Sequence, residues 1–489
     1  MKILFLSSEV IPFAKTGGLA DVAGALPKAL SKIGHDVVVV MPRYRQVNKE
    51  KYNLQLALTD LVVEVGDKQI NGAAFSSVIP DSKTKVYFIE NNDLYDRDGL
   101  YQVPGTDKDY IDNDERFIYF SRAALDMCKR LNWKPDIIHC NDWQTGLVPV
   151  YIKTLYSIDP FYQGIKTILT IHNLGYQGVF EAESMSKTGL DESLFTMDKL
   201  EFWGKLNFLK AGLVYADFIT TVSERYSQEI QTEEYGAGLN GLLNARKSSV
   251  SGIINGIDYN VFSPSNDPII HKKYSLKTIV NKLDNKKYLL KQCGMRRKVG
   301  APVLGIISRL VDQKGFDILA EIIDKLLHLN IQLIVLGTGE QKYHKLFSEL
   351  QSKYPTKMSL QLKYDANLAQ YIYAGSDMFI MPSKYEPCGL GQLISLRYGT
   401  IPVVRETGGL ADTIVDFDLA KDFEQDKGNG FVFSKYDSQE LYKTLLRAIN
   451  VYSDEKAWKK IVSNAMKCDF SWKSSAQKYS QLYGHLVHS

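Results

Sequence analysis

The sequence predicts two α/β domains, each built on a parallel, doubly wound sheet covered by helices. Its 489 residues exceed what one hydrophobic core normally supports, so two domains are expected. Short apolar runs bounded by turn residues alternate with longer helical patterns, as they do where strands are buried on both faces of a sheet. One six-residue motif, Thr-Gly-Gly-Leu-Ala-Asp, occurs at 16–21 and again at 407–412, once in each half.

The first half of the chain carries seven strand candidates with helical stretches between several of them. The strands are expected at residues 2–6, 36–41, 86–89, 136–140, 167–171, 218–221 and 252–254. The helical patterns lie near residues 21–33, 115–131, 145–155 and 205–216. This alternation predicts a first doubly wound domain over residues 1–258.

A second series of strands follows and predicts a second domain over residues 259–469. Its strand candidates are residues 303–307, 332–336, 359–364, 378–381, 401–404 and 430–433. The connecting stretch before them becomes helical around 286–292. The last stretch, 470–489, has the pattern of a helix with large aromatic residues, and we expect it to pack back on the first domain.

Composition excludes several classes of function. Lysine and arginine number 59 against 56 for aspartate and glutamate, so bulk charge favours neither nucleic acid nor an anionic membrane as a partner. The five cysteines are scattered without zinc-site spacing, which favours a reducing cytoplasm and no metal site. No run approaches the roughly 20 apolar residues of a membrane span.

Each copy of the repeated motif follows a strand and opens a helix, where free backbone N–H groups and the helix dipole can hold an anion. Glycines at such turns also serve positive φ or close packing, and for one copy alone the two interpretations are equally good. The matched pair favours ligand binding. Neither copy fits the phosphate-binding loop of a kinase or ATPase.

Charged residues follow two strands of the second domain. Arg309 and Lys314 come after the strand at 303–307, at the edge where open α/β sheets bind ligands, and could stabilise a departing diphosphate. Surface cations of this kind are more often simply solvated. Glu386 follows the strand at 378–381; it could contact sugar hydroxyls, or could be an acid favoured by a helix start.

Polar residues end two strands of the first domain in the same way. His172 and Asn173 follow the strand at 167–171, and Asp142 and Trp143 follow the strand at 136–140. His172 could touch a sugar, although a lone histidine is more often structural, and Trp143 could line a sugar site or fill the core.

Together these segments resemble the bacterial glycogen synthase and plant starch synthase family, and they span nearly the whole chain in the family's order. The matching segments are 15–22 (KTGGLADV), 139–143 (HCNDW), 172–174 (HNL), 255–258 (NGID), Arg309 with Lys314, 386–390 (EPCGL) and 407–410 (TGGL). The resemblance implies two Rossmann-like doubly wound domains that face each other across a deep cleft, the GT-B type of glycosyltransferase.

The resemblance also implies the roles of individual residues. Diphosphate and reacting sugar would be held by four residues with catalytic roles: Arg309, Lys314, Glu386 and His172. The remaining substrate contacts would be Lys15, Gly18, Asp142, Asn173, Asn255, Tyr364 (stacked on the base), Thr407, Gly408, Gly409 and Leu410. No metal and no cofactor are implied.

The implied reaction transfers glucose from ADP-glucose to the non-reducing end of an α-1,4-glucan with retention of anomeric configuration. Lys363 stands where the family often has glycine, which makes the base the least secure assignment. A start directly at the catalytic domain favours a bacterial cytoplasmic glycogen synthase over a starch synthase. Two alternatives remain open: another GT-B transferase or a nucleotide-sugar epimerase, and a non-catalytic glucan-binding protein.

Overall fold

The computed structural model describes residues 1–106, 108–418 and 427–488. Contacts within the chain divide it into two compact units. The first unit contains Met1–Gly256 together with Trp472–Ser489, and the second contains Ile257–Ser471.

The first unit is built on a mixed sheet of nine strands and also contains a small sheet of three strands. In chain order its strands are β1 Lys2–Leu6, β2 Asp36–Pro42, β3 Gln55–Val65, β4 Lys68–Val78, β5 Lys85–Glu90, β6 Ile137–Asn141, β7 Lys166–Ile171, β8 Val179–Phe180, β9 Glu201–Phe202, β10 Lys205–Asn207, β11 Phe218–Thr221 and β12 Val250–Gly252. The large sheet has the order β12-β11-β7-β6-β1-β2-β5-β4-β3, parallel except at β4 and β3, and a small antiparallel sheet has the order β8-β10-β9.

Helices cover this sheet: α1 Gly18–Lys32, α2 Asn92–Tyr95, α3 Asn113–Arg130, α4 Leu147–Lys153, α5 Ser184–Lys187, α6 Phe208–Tyr215, α7 Glu224–Glu229 and α8 Asn240–Ala245. The central strand β1 is apolar and fully buried from Ile3 to Leu6, because helices cover it on both sides.

The second unit contains one parallel sheet of six strands in the order β15-β14-β13-β16-β17-β18. These strands are β13 Val303–Ile307, β14 Gln332–Leu336, β15 Met358–Gln361, β16 Met378–Met381, β17 Ile401–Arg405 and β18 Phe431–Phe433. Its helices are α9 Lys282–Gln292, α10 Phe316–His328, α11 Gln341–Lys353, α12 Ala366–Gly375, α13 Gly391–Arg397, α14 Gly408–Thr413, α15 Ser438–Ser453 and α16 Glu455–Lys467.

The last helix, α17 (Trp472–His488), belongs to the first unit and packs on α1. Its buried Tyr483 hydroxyl lies 2.7 Å from His139 Nδ1 on β6. Its Ser475 hydroxyl donates to the carbonyl of Ile254 over 2.7 Å. The helix is therefore fixed to the sheet by buried polar contacts as well as by its apolar face.

Several element boundaries differ from the sequence prediction, among them the following three. The strand expected at 252–254 lies at Val250–Gly252. The helix expected from 205 begins at Phe208, since residues 205–207 form β10 and the Asn207 side chain caps α6 by accepting from Lys210 N. The helix expected from 145 begins at Leu147, after a short 3₁₀ turn.

Candidate active site

The sheet order places a switch point in each unit. In the first unit, β1 lies between β2 and β6. The strands from β2 to β5 therefore extend the sheet on one side of β1, and the later strands of the same sheet extend it on the other side. In the second, β13 lies between β14 and β16 in the same manner. Ligands of open α/β sheets bind outside the carboxyl ends of strands at such points. The Lys15 segment follows β1, and the Arg309 segment follows β13.

The loop after β1 is organised by a carboxylate that the sequence prediction missed. The buried side chain of Glu9 accepts hydrogen bonds from the backbone N–H of Thr16, from the Thr16 hydroxyl (2.6 Å), from Gly17 N (3.1 Å) and from the Tyr101 hydroxyl (2.8 Å). Four donors therefore converge on this one side chain. The anion position at the start of α1 is thus occupied by a carboxylate of the protein itself.

The rest of that loop is open in front of its glycines. A Cβ atom built on Gly17 or on Gly18 would meet no other atom within 4 Å, and neither residue has a positive φ. Neither local packing nor backbone conformation therefore requires glycine at these two positions. Lys15 lies alongside, with its Nζ 2.7 and 2.8 Å from the two carboxylate oxygens of Asp21.

Asp142, His172 and Asn173 come together where β6 and β7 end side by side. The Asp142 carboxylate accepts a hydrogen bond from His172 N at 2.7 Å and another from the backbone of Asn173. Asp142 also has a positive φ of 54°, which is uncommon for a residue other than glycine. Burial raises the pKa of Asp142 to about 7, although the backbone donors from His172 and Asn173 oppose that rise.

His172 is held by its neighbour on β6. Its Nε2 lies 2.9 Å from Asn141 Oδ1, and Asn141 Nδ2 donates in turn to the carbonyl of Leu6 at 2.9 Å. Burial lowers the pKa of His172 to about 3, so the ring is neutral near pH 7. His172 can therefore donate or accept a hydrogen bond but cannot supply positive charge.

Asn255 carries an unused polar atom. Its side chain is only 5% exposed, and its Oδ1 has no hydrogen-bond partner among the described residues. A buried acceptor without a partner costs about 1–3 kcal/mol. A ligand donor at this position would remove that cost.

In the second unit, Lys314 and Glu386 form an ion pair. Lys314 Nζ lies 2.8 and 2.7 Å from the two carboxylate oxygens of Glu386, and the Ser383 hydroxyl donates to the same carboxylate at 2.9 Å. The expectation that Glu386 could be a helix-start acid is wrong, because α13 begins five residues later, at Gly391. Arg309 is exposed, and its side chain has no hydrogen bond or ion pair with any residue that the structure describes.

The second copy of the repeated motif is tightly packed. Gly408 has a positive φ of 44°, and a Cβ there would lie 2.0 Å from the carbonyl oxygen of Glu386. A Cβ on Gly409 would lie 2.0 Å from the carbonyl oxygen of Cys388. Three amides of this segment already donate within the chain: Thr407 N to Arg405 O, Gly409 N to Glu386 O and Leu410 N to Thr407 O. The glycines here serve conformation and close packing.

Tyr364 lies apart from these groups within its own unit. It follows β15, the edge strand, whereas Arg309 follows β13, two strands further along the sheet. Its ring is 89% exposed. The neighbouring Lys363 pairs with Asp365 at 2.8 Å.

The structure thus brings Asp142, His172 and Asn173 into contact in the first unit and Lys314 and Glu386 in the second, and it adds three side chains. Glu9, Asn141 and Ser383 were missed. Glu9 and Asn141 each lie at or just after the carboxyl end of a parallel strand, so the rule that identified His172 would have found them. Ser383 follows β16 by two residues, so the same rule would have found it too.

Among the residues that the structure describes, no group of three or more His, Cys, Asp or Glu side chains is arranged to hold a metal ion. None of the described helices combines the length and the apolar composition that a bilayer crossing requires.

Comparison with known families gives two matches that together cover most of the chain. Residues 2–245 match the model of the starch synthase catalytic domain. Residues 295–466 match the model of glycosyl transferases group 1.

Close relatives extend over the full length. A protein from Desulforudis audaxviator named glycogen synthase is 48% identical over 503 residues, covering 99% of this chain and 96% of that one. A protein of the same name from Thermotoga maritima is 47% identical over 488 residues, covering 99% and 98%.

Two solved structures are similar over the full length. The catalytic domain of starch synthase IV from Arabidopsis thaliana, bound to ADP and acarbose, gives a TM-score of 0.88 at 34% identity, covering 100% of this chain and 99% of that one. Sucrose-phosphate synthase from Thermosynechococcus elongatus gives a TM-score of 0.59 at 16% identity, covering 100% and 99%, a likeness of fold alone.

Proposed function

Because the chain belongs to the glycogen and starch synthase family of GT-B glycosyltransferases, we propose that it extends an α-1,4-glucan with glucose from ADP-glucose. Transfer would occur to the 4-hydroxyl at the non-reducing end, with retention of anomeric configuration and release of ADP. The observation that carries the proposal is the group formed by Arg309, Lys314 and Glu386 at the switch point of the second sheet.

The two cations of this group suit the stabilisation of a leaving diphosphate. Arg309 has no partner among the described residues, so its fork of N–H donors is available to phosphate oxygens. Lys314 supplies a second charge five residues later in the same loop. Charge placed where it develops in the transition state is commonly the largest single contribution to catalysis.

Glu386 would act on the sugar and on Lys314 together. Its carboxylate already accepts from Lys314 and Ser383, and these contacts fix its orientation at the switch-point edge. In the bound state Lys314 would bridge Glu386 and the diphosphate, while a free lone pair of Glu386 would accept from a glucose hydroxyl. The ion pair would therefore hold both groups in place before the donor arrives.

Residues of the first unit would bind the transferred glucose and the acceptor end. The unpaired Oδ1 of Asn255 would accept from a sugar hydroxyl, and the neutral ring of His172 would contribute a hydrogen bond without charge. Asp142 and Asn173 would line the acceptor side beside it. Lys15 and Gly18 would contact the donor, because the loop is open in front of its glycines.

We assign nucleotide binding to the second unit and glucan binding to the first. Tyr364 would stack on the base with its exposed ring, and the segment Thr407–Gly408–Gly409–Leu410 would contact the diphosphate at the start of α14. Because three of the amides in that segment are already used, their contribution to phosphate binding would be smaller than that of Arg309.

We infer a cytoplasmic location from the five free cysteines, since an oxidising compartment favours disulfide formation. ADP-glucose as the donor is supported by the ADP held by the starch synthase IV neighbour.

The experiment that tests this function is nucleotide release by the purified protein with and without added glycogen. ADP-glucose and UDP-glucose are compared as donors. Glucan-dependent release of ADP supports the proposal. Release only from UDP-glucose would overturn the base assignment, and release that does not depend on glucan would exclude the transferase.

A further inference from the structure

Trp203 occupies a backbone position that tryptophan rarely takes. It has a φ of 55° and Gly204 a φ of 77°, so both central residues of the turn between β9 and β10 are left-handed. Two-residue hairpin turns with two positive φ angles strongly prefer Asn-Gly or Asp-Gly. A left-handed conformation costs a bulky residue about 1–2 kcal/mol. The backbone at Trp203 is therefore strained, and a residue such as Asn would adopt the same conformation at lower cost.

Packing in the hydrophobic core does not explain the tryptophan at this position, because Trp203 is 81% exposed. The hairpin is anchored by other residues, on its opposite face. Leu206 is fully buried, and Phe180, which pairs with it across the strands, packs on Trp143 with ring centroids 5.7 Å apart and on Phe208 at 4.7 Å. The fold would keep this hairpin without an indole at its tip.

Polar side chains flank the exposed indole. Lys205, the second residue after it, pairs with Glu181 at 2.6 Å, and both side chains are largely exposed. Glu201 accepts from Gly204 N at 2.5 Å. A flat apolar face bordered by charged hydrogen-bonding groups matches a sugar ring, which has an apolar C–H face and a rim of hydroxyls. A purely apolar partner would remove water from these charged groups without offering them hydrogen bonds.

The hairpin is tied to the loop that carries His172. Gln177, in that loop, accepts from the Asn207 side chain at 2.6 Å and donates to the carbonyl of Ala237 at 3.0 Å. Ala237 and Gly238 also have positive φ, and a Cβ on Gly238 would lie 3.6 Å from Trp203 Nε1. Hydrogen bonds therefore join the hairpin to the His172 loop within the first unit, and the indole lies next to Gly238.

We propose that Trp203 is an outer stacking platform for the acceptor α-glucan, binding glucose units of the chain that lie away from the end being extended. This inference rests on the proposed function for the identity of the acceptor. The Trp203 indole would add a contact that a long glucan can reach and a short one cannot. The platform would hold the polymer near the site between successive transfers.

The test replaces the ring while protecting the turn. Trp203→Asn removes the indole and installs a residue that tolerates positive φ, so the hairpin is retained. Trp203→Phe keeps an aromatic face, and Ile158→Ala, at a side chain that is 87% exposed in the same unit, is the matched control. The KM for maltoheptaose and for maltotriose is measured for each variant at saturating nucleotide sugar.

We expect Trp203→Asn to raise the KM for maltoheptaose roughly 3- to 10-fold relative to maltotriose, the effect of losing one aromatic contact. Trp203→Phe should recover most of the affinity, and Ile158→Ala should behave as wild type. Equal KM ratios in Trp203→Asn and wild type would overturn the platform. Loss of a concentration-dependent oligomer in Trp203→Asn at unchanged glucan affinity would also overturn it and would assign Trp203 to a contact between copies.

Binding is read separately from catalysis by tryptophan fluorescence. Maltoheptaose should change the emission of the wild type, whose five tryptophans include this exposed one, and should not change that of Trp203→Asn. A fluorescence response without any glucose transfer would keep the platform and contradict the proposed function. Transfer by a protein in which Trp203→Asn alters neither the KM ratio nor the emission would keep the function and contradict the platform.

Discussion

The two copies of Thr-Gly-Gly-Leu-Ala-Asp allow identical substitutions to be compared in two environments. At Gly409 a Cβ would lie 2.0 Å from the carbonyl oxygen of Cys388 and 2.6 Å from its carbonyl carbon, far inside the 3.0 Å below which something must shift. At Gly18 the same atom would meet nothing within 4 Å. The two copies therefore differ in the free volume next to the Cα atom of the glycine, although their sequences are the same.

The expected energies follow from this difference. Gly409→Ala must move two loops apart by about 1 Å, at an overpacking cost of roughly 1–3 kcal/mol. It also strains the bonds from Gly409 N to the carbonyls of Glu386 and Pro387, for about 1 kcal/mol more. Gly18→Ala lies at the start of α1, where alanine is neutral or stabilising by up to about 1 kcal/mol. The two variants should thus differ by about 2–5 kcal/mol.

Urea and thermal unfolding of the full chain measure the stability of each variant, and the KM for ADP-glucose measures donor binding. Gly409→Ala should lower the Tm of the second unit by roughly 6–12 °C. Gly18→Ala should keep the Tm and raise the KM, because its methyl group would occupy space assigned to the donor. Equal losses of stability in the two variants, or a stable Gly409→Ala, would refute the packing argument. An unchanged KM in Gly18→Ala would refute the assignment of that space.

Three further predictions concern charge. Arg309→Ala and Lys314→Ala should each reduce turnover by about 100- to 1000-fold, and wild-type turnover in steady-state assays would remove their leaving-group role. Arg309→Ala should leave the Tm little changed, whereas Lys314→Ala leaves the buried Glu386 unpaired and should lower it. Glu9→Gln should destabilise the first unit by about 2–3 kcal/mol in urea unfolding and raise the donor KM, because an amide N–H₂ would face donors; unaltered stability and KM would contradict this. Burial lowers the pKa of His139 and of His172 to about 3, so the stability they provide is complete above pH 6.5 and is lost as the pH falls. At pH 5 that loss is about 2 kcal/mol for each ring, whereas Asp142, with its pKa raised to about 7, gains stability by binding a proton over the same range. The loss is therefore read from unfolding midpoints and proton uptake in an Asp142→Asn background; a midpoint independent of pH between about 7.5 and 5 in that background would contradict it.

The fold class follows from the sequence because buried parallel strands are nearly continuous apolar runs. The strands at 2–6 and 303–307 have the predicted bounds, since both are central and covered on two faces. The hairpin of β3 and β4 was not predicted. Exposed and buried residues alternate in only part of it, and bulges near Leu58 and Leu61 shift its register. Its antiparallel strands are half exposed, which removes the apolar signal.

The site could be predicted only as a set of strand ends. Their common position at the carboxyl edge explains why His172, Asp142 and Arg309 could be singled out. The pairing of Lys314 with Glu386 spans 72 residues of sequence and depends on how two loops pack, which spacing does not encode. The different environments of the two Gly-Gly pairs were equally hidden, because the contrast lies in neighbouring loops and not in the motif.

Product analysis with a labelled donor tests directly whether the protein transfers glucose to an α-1,4-glucan with retention of anomeric configuration. The protein is incubated with ADP-glucose carrying ¹³C at C1 and with maltoheptaose, and the anomeric signals of the elongated glucan are read by NMR. We expect label in a new α-1,4 linkage at the non-reducing end. Label in a β linkage, label confined to free glucose, or label remaining only in nucleotide sugars would contradict it.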